Sequence, residues 1–181
     1  MRLGVLACFL TLVAAAPNVK FHEACAGNDV ETVKTILSET PAVLNEIGPE
    51  GGQSCFMRAV LFGSKAVVQY LLDNTDVDVN LGEKDGYTPL HGAAFQGRAE
   101  IAKILIDRGL DPLDQHADGY SPIHRASWGS GQRHTDTIRV FLEAGVPADL
   151  KADDGRTAYD MTHSPASMRL LMDYGARGDD L

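Results

Sequence analysis

The strongest constraint on this chain is an internal match without gaps. Asp85-Gly86-Tyr87-Thr88-Pro89-Leu90-His91-Gly92-Ala93-Ala94 aligns with Asp118-Gly119-Tyr120-Ser121-Pro122-Ile123-His124-Arg125-Ala126-Ser127, 33 residues on. Residues 100–109 recur as 136–145, a spacing of 36, so three residues are inserted between the two halves of the later unit. A period of this size commits the chain to stacking, because one unit of about 30 residues cannot bury its own apolar face. Within the unit, Ile101, Ile104 and Leu105 make an apolar stripe at helical spacing. Thr88 stands as a cap before Pro89, which suits a first helical turn where a missing N–H costs nothing. Gly109 lies just past the second helix, where a left-handed residue ends it at low cost, and Ala93 and Ala94 let paired helices approach closely.

These residues resemble the ankyrin repeat family. The unit from residue 83 carries its pattern: Thr88-Pro89-Leu90-His91, small residues, Glu100-Ile101, Ile104-Leu105-Ile106, then Gly109 and Asp111. The resemblance implies an all-α solenoid of about five helix-turn-helix units with β-turn tips. By register the units run 18–47, 48–82, 83–115, 116–150 and 151–177, followed by an acidic tail at 178–181. The second unit departs from the pattern, with Cys55 where Pro is usual and Met57 where His is usual, and the fifth is shortened. Atypical end units are what a solenoid needs to shield its open ends.

Residues 1–16, MRLGVLACFLTLVAAA, have the layout of a secretory signal peptide: Arg2, an apolar run, then Ala14-Ala15-Ala16. The run is short for spanning a membrane, so no stable membrane insertion is expected after cleavage. The expected location is the secretory pathway or the extracellular space; the alternatives are an uncleaved signal anchor and a cytoplasmic protein whose start is merely apolar. The formal charge of −9 argues against nucleic acid or an anionic membrane as the main partner, since phosphate binding needs excess basic charge.

Candidate chemistry is sparse. His91 and His124 occupy the motif's histidine position, where the resemblance implies hydrogen bonds that tie units together. They lie one unit apart, about 10 Å, too far to share a metal ion. A triad of Ser121 or Ser127 with His124 and Asp118 can be drawn on paper, but no nucleophile elbow surrounds either serine. The Gly-rich stretch 128–134 lacks the context of a phosphate loop and reads as an extended inter-helix loop. Cys25 and Cys55 are separated by one unit step plus five helical positions, beyond disulfide reach, so two unpaired buried thiols are expected. Arg177-Gly178-Asp179 and the terminal Gly-Asp-Asp-Leu carry only faint recognition signals. No cofactor or metal site and no catalytic residue is expected.

In the family, β-turn tips and the outer ends of the first helices face one concave surface that binds partner proteins. Transferred by register, that surface comprises Phe62, Tyr87, Phe95, Gln96, Tyr120, Trp128 and Arg156. Clustered exposed aromatics are typical of binding hot spots. Glu83, Asp85, Asp118, Asp153 and Asp154 are placed around them, which favours a partner with basic and apolar groups. The expected function is therefore non-catalytic docking of another protein. The rival from another class is an enzyme, or a subunit that presents a substrate to one.

Overall fold

The structure, a computed structural model, describes residues 17–48, 51–83 and 85–176. The proposed signal peptide at 1–16 and the tail tripeptide at 177–179 lie outside the described residues. Among the described residues ten α-helices follow in pairs: α1 (Pro17–Ala26) and α2 (Val30–Glu39), α3 (Cys55–Phe62) and α4 (Lys65–Asn74), α5 (Pro89–Phe95) and α6 (Ala99–Asp107), α7 (Pro122–Ala126) and α8 (Gln132–Glu143), α9 (Ala158–Met161) and α10 (Pro165–Asp173). A short 3-10 turn, Pro41–Asn45, follows the first pair. The described residues hold no strand beyond the isolated bridges Ile47–Ser54 and Lys151–Thr157. The first helices stack in one layer, α1 on α3 on α5 on α7 on α9. The second helices stack in another, α2 on α4 on α6 on α8 on α10. This is the all-α ankyrin solenoid that the repeat predicts.

The apolar positions of the motif form one continuous core between the layers. Phe21, Phe56, Leu90 and Ile123 come from first helices, and Val67, Leu71, Leu105, Ile138, Phe141 and Leu171 from second helices; all are buried. Burying each such side chain contributes roughly 1.5–3 kcal/mol. The turns between units close in the same way three times: Glu83, His116 and Ala152 donate their N–H groups to the carbonyls of Tyr87, Tyr120 and Arg156 at 2.9, 3.1 and 2.9 Å. Inside the second of these turns, Gly119 has φ +85°, and a Cβ there would meet the Asp153 side chain 2.5 Å away. Only glycine satisfies both the left-handed backbone and the contact with the next turn.

Polar side chains stitch the units along the stack. His91 Nε2 donates to the Tyr120 carbonyl at 3.2 Å while Nδ1 accepts from Thr88 Oγ1 at 2.8 Å. His124 repeats the arrangement, with Nε2 donating to Leu150 O at 3.0 Å and Nδ1 accepting from Ser121 N at 3.2 Å. The inserted loop is pinned by His134, whose Nε2 donates to Phe95 O at 3.1 Å and whose ring lies directly against the Cα of Gly129. Asn28, at φ 58°, caps the neighbouring helix: its Oδ1 accepts from Ala66 N and Val67 N at 3.0 and 3.2 Å. Thr135 and Ser167 share a buried hydrogen bond of 2.7 Å between α8 and α10.

One expectation is overturned. Cys25 and Cys55 are joined by a disulfide, with Cα atoms 5.6 Å apart and both residues fully buried. Two free thiols were expected because the step between units and the offset along the helix were both taken to separate them. Instead the end of α1 meets the start of α3.

The buried histidines give the fold an acid-sensitive term. Burial above all lowers the pKa values of His91, His124 and His134 from the ordinary 6.5. The unfolded chain therefore takes up protons near pH 6.5 that the folded chain refuses. Stability from these groups is whole above pH 6.5 and falls as the pH drops below it, by at most about 1.4 kcal/mol per pH unit for each histidine. His116 runs the other way: burial lowers its pKa, but its bonds to the Asp85 carbonyl and Asp118 outweigh that and raise it. With three groups against one, urea midpoints are expected to fall as the pH drops from about 6.5 to 5.5. A flat profile would show that the histidines do not titrate in this way.

Candidate functional site

The site grows from the turn tips and the ends of the first helices. Gly86 and Gly119 let their turns reverse, so that Tyr87 and Tyr120 stand one repeat apart on the same edge of the stack. Each tyrosine donates its hydroxyl to the acid two residues before the next tip: Tyr87 to Asp118 Oδ2 at 2.7 Å, and Tyr120 to Asp154 Oδ2 at 2.7 Å. The ladder is a product of the repeat: the first rung joins two Asp-Gly-Tyr triplets 33 residues apart, and the second joins Tyr120 to Asp154-Gly155-Arg156, 36 residues on from Asp118-Gly119-Tyr120.

Arg125 lies beneath this ladder. Although only 4% exposed, it carries a guanidinium. That group sits 4.6 Å from the Tyr87 ring centroid, 5.0 Å from Tyr120 and 4.3 Å from Trp128. It donates to the Tyr87 hydroxyl at 2.6 Å and pairs with the Asp118 carboxylate. Three ring faces and one carboxylate replace the water that a buried cation forfeits. His116 stacks on the other side of Tyr87, 3.8 Å between centroids. Burial pushes the Asp118 carboxyl up, but Tyr87, His116 and Arg125 overcome it and hold the group far below the usual range. Burial, with Asp118 as acceptor, raises the Tyr87 hydroxyl. At the next tip, Arg156 bonds Asp154 and the Tyr120 hydroxyl, and the hydrogen bonds that Asp154 accepts from Arg156 and Tyr120 lower its carboxyl to about 2.

Above Arg125 opens a groove of about 370 Å³, walled by Leu61, Phe95, Gln96 and Trp128, floored by Gly92, with Tyr87, Glu83 and Gln53 at one end. Gly92 occupies the position filled by Arg58 and Arg125 in the flanking units, and α3 side chains pack directly over its backbone while no long side chain rises into the groove. A Cβ there would sit 2.7 Å from Met57 Cε and 3.0 Å from Leu61 Cδ2. Phe95 and Trp128 meet edge to face at 6.2 Å, as do Trp128 and Tyr120 at 5.6 Å, and roughly half of each of Phe95 and Trp128 faces solvent.

Of the residues assigned to the concave face from sequence, Tyr87, Phe95, Gln96 and Trp128 line this groove. Tyr120 backs it through Trp128, Arg156 lies one turn further on, and Phe62 stands apart, exposed, with the Arg58 guanidinium 5.4 Å above its ring. Sequence reasoning missed Arg125 and Gly92. The available signal was their shared register: a large cation in two units and glycine between them, at the position after the motif histidine. The acidic ring also changes. Asp118 and Asp154 are neutralised internally by Arg125 and Arg156, and Asp153 accepts from Gln115 at 3.0 Å.

The paper triad does not assemble. Both His124 ring nitrogens are used in stitching the turns, Ser127 Oγ donates to Ile123 O, and Asp118 faces Arg125 rather than His124. Among the described residues no cluster of three or more His, Cys, Asp or Glu is arranged to hold a metal ion, and no described helix is long and apolar enough to cross a membrane.

Comparison with known proteins places this geometry. A family profile described as ankyrin repeats, three copies, matches residues 21–116. The human BCL-6 corepressor-like protein 1 is 31% identical over 172 residues, covering 86% of this chain and 9% of that protein. The probable 26S proteasome regulatory subunit p28 of Saccharomyces cerevisiae is 26% identical over 85% of this chain and 68% of its own length. Delta-latroinsectotoxin-Lt1a of Latrodectus tredecimguttatus is 42% identical over 30% of this chain and 5% of that protein. The chain thus spans less than a tenth of the corepressor-like protein and of the latroinsectotoxin.

Proposed function

Given that the chain belongs to the ankyrin repeat family, we propose that it docks a partner protein in the groove between Leu61, Phe95 and Trp128, and that it does so in an oxidising compartment, the secretory pathway or the extracellular space. Ankyrin repeats are protein–protein interaction modules and the family is generally non-catalytic. The observation that carries the docking reading is a pre-formed trough with two half-exposed aromatics held by a buried cation. Rigid aromatic anchors that need no ordering on binding lose little entropy when a partner arrives. The disulfide supports the compartment, because such bonds persist where thiols are kept oxidised, and it favours the secreted reading over an intracellular adaptor with an apolar start.

The test compares recovery of partners by the wild-type chain and by Phe95→Ala/Trp128→Ala. These residues are chosen because Tyr87 belongs to the structural ladder and its removal would disturb the fold. Loss of both anchors is expected to weaken the recovered interaction by about 2 kcal/mol or more, roughly 30-fold. Equal recovery by both proteins, with unchanged circular dichroism, would remove the groove from consideration. N-terminal sequencing of secreted material is expected to begin near Ala16 or Pro17, and an intact Met1 in a cytosolic fraction would refute the secretory reading. A turnover screen against common hydrolase substrates discriminates the enzyme-subunit rival.

A further inference from the structure

We propose that the groove takes a segment in which a basic side chain, arginine or lysine, adjoins one large apolar side chain; this rests on the docking reading above. The apolar half follows from shape. Leu61, Phe95 and Trp128 wall a trough of about 370 Å³ over a residue with no side chain, so one large aliphatic or aromatic group can enter against carbon. The basic half follows from which charges the fold leaves uncompensated. Of the acids near the groove, Asp118 is paired with Arg125 and Asp154 with Arg156. Glu83, which lines the groove itself, accepts from neutral Gln53 and meets no described cation. A docked segment would strip water from that carboxylate, and an unpaired charge removed from water is costly, so a partner that brings a cation is favoured over one that does not.

Arg125 does not reverse this sign. Its guanidinium lies against three rings and its charge is paired with Asp118; its Nε lacks a hydrogen-bond partner but is buried, so an anionic segment in the groove does not reach it. The formal charge of −9 on the whole chain adds long-range attraction for basic segments. An acidic segment would meet Glu83 as a like charge.

The test selects a random phage-displayed dodecapeptide library against the folded chain and titrates the enriched peptides by fluorescence anisotropy. Enriched peptides are expected to carry Arg or Lys within three residues of Leu, Ile, Phe or Trp. Glu83→Gln is expected to weaken them several-fold and Glu83→Lys at least tenfold. Replacing the basic residue of the peptide by Glu should restore binding to Glu83→Lys and abolish it on the wild type. The backbone bond from Glu83 N to Tyr87 O persists in both variants, and circular dichroism checks their fold. Peptides that lose binding to Phe95→Ala/Trp128→Ala but not to Glu83→Lys would overturn the basic requirement while leaving the groove reading standing. Peptides indifferent to all these variants would overturn both, and failure to enrich any basic-apolar motif would overturn the inference.

Discussion

Reduction of the Cys25–Cys55 disulfide, or its replacement by Cys25→Ala/Cys55→Ala, is expected to cost about 3–4 kcal/mol of folding stability. The bond closes a loop across a sequence separation of 30, and in the chain-entropy account the unfolded chain gains that much freedom when the link is cut. The loss should be local before it is global. The first unit packs on one neighbour only, α1 on α3 and α2 on α4, whereas inner units are held from both sides. In a stacked array, stability is roughly a sum of unit terms and nearest-neighbour interfaces, so a terminal unit relieved of its staple opens first. Hydrogen exchange in the presence of reductant should therefore show α1 and α2 losing protection ahead of α5–α8, and the guanidinium midpoint of the reduced protein should fall. Identical midpoints with and without reductant would contradict the staple.

Arg125→Ala is expected to destabilise the protein by about 2–3 kcal/mol, from lost charge-assisted hydrogen bonds and the lost packing of a buried side chain. The substitution takes the guanidinium from Asp118, removes a donor from the Tyr87 hydroxyl and takes the cation from under three rings at once. Arg125→Lys keeps the charge but not the planar fork, which spans Tyr87, Asp118 and the ring faces together, and about 1–2 kcal/mol is expected from it. The chain's sole tryptophan is Trp128, so intrinsic fluorescence reads this site alone. Emission should shift to the red in Arg125→Ala as the indole loses its packed face. Urea unfolding of both variants checks the energies, and a cost below 1 kcal/mol for Arg125→Ala would mean the guanidinium is not the keystone of the ladder.

Several features of this molecule follow from its sequence without coordinates, and the reason is periodicity. A 33-residue spacing forces stacking, Thr88-Pro89-Leu90-His91 and Ser121-Pro122-Ile123-His124 mark where α5 and α7 start, and Gly86 and Gly119 mark turns that only a left-handed residue completes. His91 and His124 could be read as structural for the same reason: their register repeats, so their hydrogen bonds do too. Tyr87, Phe95 and Trp128 could be placed on one face because solenoid register alone sets direction.

What periodicity could not supply is whatever depends on the distance between particular side chains in adjacent units. The disulfide turned on how closely α1 meets α3, which a uniform unit spacing hides. The neutralised Asp118 and Asp154 turned on which guanidinium reaches which carboxylate. The groove turned on a glycine set between two arginines, a difference between units rather than a repeat of one. Sequence thus determined the wall and its orientation, since both follow from backbone hydrogen bonding and the apolar stripe. Tertiary packing decided the charge and depth of the wall, since Coulomb energy and close contact change over a few ångströms that a repeat pattern does not encode.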